Sequence, residues 1–456
     1  MSTPAHRPNS PGVQNWRKPL PRAASGGSPQ RRVRKPMRSS AASETRRSRV
    51  HGKGGRHEMR FVALPVGQGD AFFCETSDGF RVLVDGGRSR RHLPTLFARF
   101  AGGTGVDVLV CTHNDADHAE GVIGFLESGL ECAELWLPDT WVAALLALPR
   151  NATETWDFML EHWRLGTHPE ADIADLQEAA WRRMFPQSFA PDQQRPRSQD
   201  TSSVERPEHV PLPLGHVLGE VLPALEQHRE WPFGVDYNGG LVLPGYGPPR
   251  YWMWEWVREY GPAFGVVLKD IGRLLNLVWL ALDRGLPVRC FRYDRSSPHP
   301  VSGYPLVPLN ARPVMCPPTG VNRTPEDFLH FAFLTTLNRE SLVFYLEGGR
   351  LPGVLFTADS DLGGVNLQGV VMDSIATAPH HGSKDNAGAY QRVGRSMVWV
   401  RSDGYSKLRP CDEYLAAPGT RYCTLCRGSN KPKQAIRLSR GTDGWSPIET
   451  RPCHCV

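Results

Sequence analysis

The densest group of potential metal ligands in the sequence is the run His113-Asn114-Asp115-Ala116-Asp117-His118, which directly follows an apolar segment. Imidazole and carboxylate groups are the usual protein ligands of zinc, manganese and iron. Residues at i and i+2 of an extended loop face the same side, so His113 and Asp115 are predicted to share one ion. Asp117 and His118 would then face a second ion. A polar surface loop is the alternative interpretation, and the density of ligands disfavours it.

Three further motifs place polar residues where apolar segments end. Asp85 follows the first of these segments, Asp359 follows the second, and the pair His380-His381 follows the third. A single acid after a strand is more often a turn former or a helix cap. Because all of these motifs follow predicted strands, capping alone does not explain the series. The pattern predicts an open catalytic site at the ends of core strands.

The elements that would position these residues fall into two groups along the chain. The first group is a β-meander, a helix, a buried strand, a helix beginning near Glu120 and a further strand, and the second group consists of strands. Two half-sheets with helices outside them predict an α/β (α+β) fold, a four-layer αββα sandwich. The predicted strands cover 61–66, 71–76, 81–84, 106–111, 134–137, 341–346, 354–357, 374–378 and 397–401, and the first helix covers 92–100.

Changes in composition divide the chain into five predicted segments. Residues 1–58 are rich in Pro, Ser, Gly and Arg, and 139–335 combine helical, Trp-rich sequence with Pro/Gly/aromatic stretches. The predicted organisation is a disordered basic tail over 1–58, the first half of the sandwich over 59–138, a large insertion with its own partial core over 139–335, the second half over 336–408, and a Cys-rich C-terminal segment over 409–456.

In their order along the chain, these motifs resemble those of the metallo-β-lactamase superfamily, whose hallmark is H-x-H-x-D-H after a core strand. They are most similar to the hydrolase domain of ComEC-type DNA-uptake proteins, over about 60–138 and 341–405. The motifs that carry the resemblance are Val66-Gly67-Gln68-Gly69-Asp70, Asp85-Gly86-Gly87, the run from His113 to His118, Thr357-Ala358-Asp359 and His380-His381-Gly382-Ser383.

The resemblance implies a role for each motif residue in a site for two divalent ions, zinc or manganese. His113 and Asp115 would hold one ion. The catalytic pair Asp117 and His118 would hold the second, with Asp117 also oriented to take a proton. In the remaining roles, Asp359 would bridge the two ions, His380 or His381 would complete the second site, and Asp85 and Ser383 would orient ligands from outside.

The sequence departs from the superfamily pattern at three points. Asp115 stands where the second histidine is usual, and an oxygen ligand favours harder ions such as manganese. This substitution also makes a β-lactamase activity less favoured. Ala358 replaces the glycine of the T-G-D motif. The superfamily's middle histidine has no clear counterpart, because the candidates His162, His168, His209, His216 and His228 all lie in the predicted insertion.

The ten cysteines are unevenly distributed. Cys423 and Cys426 form a CxxC pair, and Cys453 and Cys455 form a CxC pair. Two close thiolate pairs can make a structural zinc site, with free thiols or a redox pair as alternatives. The five scattered cysteines, Cys74, Cys111, Cys132, Cys290 and Cys316, are expected to be reduced thiols of a cytoplasmic protein.

The charge is distributed asymmetrically. The first 58 residues hold fourteen Lys and Arg against two acids, whereas the whole chain carries a net charge of +6. Such a tail is a candidate for binding DNA, another nucleic acid or anionic lipid, with a solvated extension as the alternative. No apolar run approaches the ~20 residues of a membrane helix, so no membrane partner is expected.

The sequence is therefore compatible with three functions. The first is a metal-dependent phosphodiesterase or nuclease that uses a water activated by two metals. The second is a hydrolase of a small ester, lactone, thioester or phosphoester on the same fold. The third is a non-catalytic nucleic-acid-binding relative, which the retained ligand set argues against. The sequence does not indicate protein partners.

Overall fold

The computed structural model describes most of the chain that carries the predicted site. The tail that was predicted to be disordered, 1–58, lies outside the described residues. Most of the predicted insertion, 142–271, also lies outside them, apart from two short strands. The described residues are 59–141, 234–235, 241–242, 272–294 without 275, 279 and 282, 298–314, 341–402, 409–426 and 433–455.

Nine strands form the first sheet. In spatial order they are β10 (Ala311–Val314), β8 (Val288–Tyr293), β5 (Glu131–Pro138), β4 (Gly105–Val110), β3 (Arg81–Val84), β2 (Phe72–Glu75), β1 (Met59–Ala63), β16 (Ile436–Gly441) and β17 (Gly444–Pro447). Its centre is parallel, from β3 through β4 and β5 to β8. The flanking strands pair antiparallel, so β1, β2 and β3 form the meander that the sequence predicts.

Six strands form the second sheet. In spatial order they are β15 (Gly419–Cys423), β14 (Met397–Arg401), β13 (Ile375–Thr377), β12 (Val354–Phe356), β11 (Phe344–Leu346) and β9 (Leu306–Pro308). β12 to β15 run parallel, and β11 and β9 complete the sheet antiparallel. A separate two-stranded ribbon joins β6 (Gly234–Val235) and β7 (Leu241–Val242).

Side chains from both sheets meet in one apolar core. The ring centroids of Phe72 and Phe356 lie 6.3 Å apart, and those of Trp136 and Phe344 lie 5.7 Å apart. Phe72 and Phe356 are fully buried or nearly so. Removing such side chains from water is the main term that stabilises the fold, at about 25 cal/mol per Å² of apolar surface.

Helices pack against the other face of each sheet. Successive strand residues point to opposite faces, so Phe72 enters the shared core while Phe73 faces outward. The Phe73 ring makes an edge contact with Phe97 at 5.6 Å, and Phe97 contacts Phe125 at 5.1 Å. Phe97 belongs to α1 (His92–Phe100), and Phe125 belongs to α2 (Ala116–Glu127).

The second sheet has a corresponding outer layer. Trp399 of β14 packs against Tyr390 at 5.3 Å and against Tyr414 at 6.4 Å, measured between ring centroids. Tyr390 lies in α3 (Ala387–Val393) and Tyr414 in α4 (Asp412–Ala416). The prediction of a mixed α/β fold is therefore confirmed.

The predicted start of the second helix is wrong. The second helix begins at Ala116 rather than near Glu120. Asp115 has an extended backbone, and its carbonyl accepts hydrogen bonds from the backbone amides of His118 and Ala119 at 3.0 and 2.9 Å. The first turn therefore closes on Asp115, which places Asp117 and His118 in the helix rather than in a loop.

Part of the segment predicted as an insertion belongs to the two large sheets. β8 pairs with β5 of the first sheet, and β9 pairs with β11 of the second. These strands are short apolar stretches among Pro, Gly and Arg residues, which concealed them in the sequence. Cys290 of β8 is disulfide-bonded to a residue outside the described set, so the prediction that this thiol is reduced is wrong.

The predicted Cys-rich segment also contributes to both sheets. β15 adds to the second sheet beside β14, and β16 pairs with β1, the outer strand of the first meander. Among the described residues, no helix has the length and apolar character needed to cross a bilayer.

Candidate metal centre

The candidate ligands lie where strands of the two sheets end. Asp85 follows β3 and His113 follows β4, whereas Asp359 follows β12 and His381 follows β13. β3 and β4 are parallel neighbours, as are β12 and β13, so their carboxyl ends lie at the same edge of each sheet. The strand ends therefore bring residues from distant parts of the sequence to one site.

Four buried side chains form the first ligand group: Asp70, His118, Asp359 and His381. Nε2 of His118 lies 3.3 Å from Oδ1 of Asp359 and 3.3 Å from Nε2 of His381. Nδ1 of His381 is 3.0 Å from Oδ1 of Asp70. One ligand atom from each residue falls within 4.8 Å of the others, an arrangement that could hold a metal ion.

The second ligand group consists of His113, Asp115 and Asp359. Nε2 of His113 is 3.5 Å from Oδ2 of Asp359 and 3.9 Å from Oδ2 of Asp115. Asp115 occupies the N-cap position of α2, but its carboxylate makes no capping hydrogen bond. That carboxylate is therefore directed at the site rather than at the helix, as the i and i+2 spacing predicts.

Asp359 belongs to both groups. Its Oδ1 faces His118 and its Oδ2 faces His113, so the two oxygens of one carboxylate point toward two different ligand groups. Ala358 before it has a φ of 46°, in the left-handed region that favours glycine.

Two buried polar atoms of the site have no hydrogen-bond partner among the described residues. They are Nε2 of His113 and Oδ2 of Asp70. A buried polar atom without a partner is costly, and such atoms commonly mark the place of an ion or water. A histidine nitrogen and a carboxylate oxygen both suit a divalent ion, so the residues present fit the metals that the sequence predicts.

Asp85 fixes the orientation of His118 from outside the ligand groups. Its Oδ2 lies 2.9 Å from Nδ1 of His118, which leaves Nε2 directed at the site. The carboxylate also accepts hydrogen bonds from the backbone amide and the hydroxyl of Thr112 at 2.8 and 2.7 Å. A carboxylate on the far nitrogen of a ligand histidine sets its tautomer and raises its basicity.

The carboxylates dominate the electrostatics. Burial opposes ionisation of Asp359, but the neighbouring His118 and His113 outweigh it and hold the pKa of this carboxyl well below its usual range. Burial opposes protonation of His118, yet Asp359 and Asp85 raise its pKa well above the usual value. The pKa of His381 likewise rises to about 10, against burial, because of Asp70 and Asp359. The buried carboxylates thus favour positive charge inside the site.

Asp117 lies beside the ligand groups, in the first turn of α2. Its Oδ2 is 3.5 Å from Nε2 of His381, and its side chain is 20% exposed, against 2% for Asp359. Burial raises the pKa of Asp117. The hydrogen bond from His381 and the charge of His118 have a larger, opposite effect, so the pKa is lowered overall. It is therefore an ionised group at the solvent side of the site.

The structure distinguishes between the paired histidines. His381 belongs to the first ligand group, whereas His380 belongs to neither group. Nδ1 of His380 is 3.1 Å from Oδ1 of Asn386. Its Nε2 lies 2.9 Å from the guanidinium Nη2 of Arg409 and 3.5 Å from Oδ2 of Asp359. Ser383, predicted to support the ligands, instead bonds Asp385 and caps the short helical turn Lys384–Asn386.

Sequence reasoning did not assign Asp70 or Ser402 to the site. The Ser402 hydroxyl donates to Oδ1 of Asp70 at 2.6 Å and to the carbonyl of Gly69. Asp70 stands in the Val66–Asp70 motif that carries the resemblance, so a signal for it was present. Ser402 has no motif of its own. The five insertion histidines considered for the middle position, from His162 to His228, lie outside the described residues.

Four cysteines form a separate group at the edge of the second sheet: Cys423, Cys426, Cys453 and Cys455. These are the four residues that the spacing predicts.

Comparison of the sequence with models of known protein families finds no match, and comparison with curated proteins finds none. The function therefore has to be argued from the sites themselves.

Proposed function

We propose that the chain is a metal-dependent hydrolase that binds two divalent ions, zinc or manganese, between the ends of its two sheets. The observation that carries the proposal is the position of Asp359, whose two carboxylate oxygens face two separate groups of ligands. A carboxylate shared in this way is the arrangement a pair of ions needs, since paired catalytic metals lie about 3.5–4 Å apart.

The fold supports the proposal at a coarser level. Helices cover the outer faces of two sheets that share a core, which is compatible with the four-layer αββα sandwich of the metallo-β-lactamase superfamily. The motif order adds the resemblance to the ComEC-type hydrolase domain. Both arguments lead to the same proposed reaction, hydrolysis by an activated water.

The substrate that we propose is a phosphodiester, with DNA or another nucleic acid as its class. Bound divalent ions would supply an activated water and would stabilise charge on the phosphoryl oxygens. The chain's own groups divide the remaining work. Asp359 would hold the two ligand groups together and Asp85 would fix His118. Asp117 would take the proton of the attacking water as its oxygen bonds to phosphorus, while the P–O bond to the leaving oxygen breaks and that oxygen takes a proton from solvent.

The test is hydrolysis of labelled single-stranded DNA by the full chain after reconstitution with manganese or zinc. Asp359→Asn is expected to lose both ions and to reduce cleavage by at least about 10³-fold, which corresponds to about 4 kcal/mol of transition-state stabilisation. Asp361→Asn is the matched control, because this exposed acid lies two residues away and outside both ligand groups.

The outcomes separate the candidate functions. Metal-dependent cleavage of DNA that Asp359→Asn abolishes supports the nuclease. Cleavage of a small phosphodiester or a lactone, but not of DNA, replaces the substrate class and keeps the hydrolase. A folded chain that takes up no divalent ion contradicts the proposal, and DNA binding without metal uptake would favour the non-catalytic relative.

A further inference from the structure

The four-cysteine cluster lies far along the chain from the proposed hydrolase ligands and does not share a residue with them. Cys423 ends β15, and Cys426 follows in the next turn. Cys453 and Cys455 come after β17. All four sulfur atoms lie within 4.8 Å of one another, and all four cysteines are free of disulfides.

The sulfur distances suit a tetrahedral ion better than a disulfide. The Sγ atom of Cys423 is 3.1 Å from that of Cys453 and 3.8 Å from that of Cys455, and Cys426 is 4.0 Å from Cys453. Four thiolates around zinc at about 2.3 Å place their sulfurs about 3.8 Å apart. A disulfide would require about 2.05 Å between one pair.

Backbone amides point at two of the sulfurs. The amide of His454 donates to Cys426 at 3.4 Å, and the amide of Cys455 donates to Cys453 at 3.3 Å. A sulfur that accepts an N–H bond is stabilised as a thiolate, which is the form that binds metal. Both bonds therefore favour the thiolate form of Cys426 and Cys453.

The decisive neighbour is Arg401, the last residue of β14. Its side chain is fully buried, and its Nη2 atom donates to the carbonyl of Leu425 at 2.9 Å and to Sγ of Cys455 at 3.7 Å. Its Nε and Nη1 atoms have no hydrogen-bond partner among the described residues. Burying a guanidinium ion is very costly unless a negative charge lies beside it.

We propose that Cys423, Cys426, Cys453 and Cys455 bind a structural zinc ion whose negative complex charge is balanced by the buried Arg401. One zinc ion with four thiolates carries two net negative charges. Four neutral thiols or two disulfides carry none and would leave the arginine uncompensated. The buried cation therefore favours zinc over the free thiols and the redox pair that the sequence leaves open.

The ion would fasten the end of the chain to the second sheet. The amide of Cys453 donates to the carbonyl of Arg421 in β15, and the amide of Thr424 donates to the carbonyl of Arg401 in β14. The cluster thus joins two parallel strands and the final residues. Its zinc is structural, because four protein ligands leave no open position for a substrate.

Cobalt substitution of the full chain tests the site. Neither proposed hydrolase ligand group contains a thiol, so sulfur-to-cobalt charge-transfer absorption reports only the cysteine cluster. We expect this absorption in the wild-type protein and its loss in Cys455→Ser, with one fewer zinc per chain. Cys411→Ser is the control, because this buried cysteine lies outside the cluster and should leave both readings unchanged.

A second pair of variants tests the charge argument. Arg401→Gln should weaken zinc retention against a chelator by about 10- to 100-fold, the range typical of groups that support metal ligands. Arg401→Lys keeps the positive charge and should restore much of it. The wild-type cobalt spectrum decides the question even if Arg401→Gln does not fold. Absent charge-transfer absorption, or disulfides among these cysteines in the purified protein, would overturn the proposal.

Discussion

Asp117 differs from the buried acids Asp70 and Asp359 of the candidate centre in its exposure. Its pKa is lowered, its carboxylate reaches solvent, and its Oδ2 lies 3.5 Å from Nε2 of His381. It is not a member of either ligand group. These properties suit a group that moves a proton during the reaction, and they do not require it to hold a metal.

Asp117→Asn is therefore expected to separate turnover from metal binding. The amide cannot accept the proton, so the rate should fall by about 10²–10⁴-fold, the usual contribution of a general base. Metal content measured by mass spectrometry should stay at the wild-type level. Glu127→Gln, on the exposed end of the same helix, serves as the control. Loss of metal together with activity would instead make Asp117 a ligand.

At this scale the sequence predicted the run from His113 to His118, Asp359 and His381, because the motifs are dense or follow apolar strands. It placed Asp70 in the Val66–Asp70 motif but gave this residue no role in the site. The hydrogen-bond partner of Asp70 is His381, which is 311 positions away in the chain. Local spacing contains no information about such a contact, and only the packing of the two sheets creates it.

Among the elements, the loop between β1 and β2 approaches the first turn of α2 unusually closely. Gly69 has a φ of 91°, and a Cβ atom built on it would lie 1.6 Å from the carbonyl oxygen of Asp117. The next amide, that of Asp70, donates to the same oxygen at 3.1 Å. The loop and the helix are thus held together through backbone atoms, with a ligand on each side.

Gly69→Ala should consequently disturb both stability and metal binding. We expect a loss of about 2–5 kcal/mol in the free energy of unfolding, from positive-φ strain and overpacking together. Gly79→Ala is a matched control, because Gly79 has a φ of 86° but nothing within 4 Å of the added carbon. It should cost only the strain, about 1–2 kcal/mol, with metal content unchanged. Equal losses in urea unfolding would contradict the contact argument.

The elements that the sequence did not predict are mainly sheet edges. β17 is exposed or half-buried throughout, and β15 begins with exposed residues. Such strands lack the continuous apolar run that revealed β4 or the alternation that revealed the meander. β14, in contrast, was predicted with the bounds Met397–Arg401 because its apolar residues are consecutive.

For the molecule as a whole, the last described strands belong to the shared core. Leu438 of β16 is fully buried in the core between the sheets, and Phe61 is its partner on β1. A separate Cys-rich segment over 409–456 was the prediction. The pairing of β16 with β1 depends on a register between the two ends of the fold, which no local pattern specifies.

Leu438→Ala should therefore destabilise the entire protein rather than its C-terminal segment alone. We expect a loss of about 2–5 kcal/mol from the cavity left in the core. Ser446→Ala, on the exposed part of β17, should change the free energy of unfolding by less than about 0.5 kcal/mol. The measurement is urea unfolding followed by tryptophan fluorescence. An unaffected main transition in Leu438→Ala would show that the segment unfolds independently.

The pairing of Met59 with Arg440 also has a consequence for biosynthesis. A ribosome adds about 5–20 residues per second, so β1 leaves the exit tunnel tens of seconds before β16 is made. During that interval one hydrogen-bonding edge of the nascent meander has no partner strand, and an open strand edge promotes aggregation. The yield of native protein should then depend on translation speed and on chaperones that shield the growing chain.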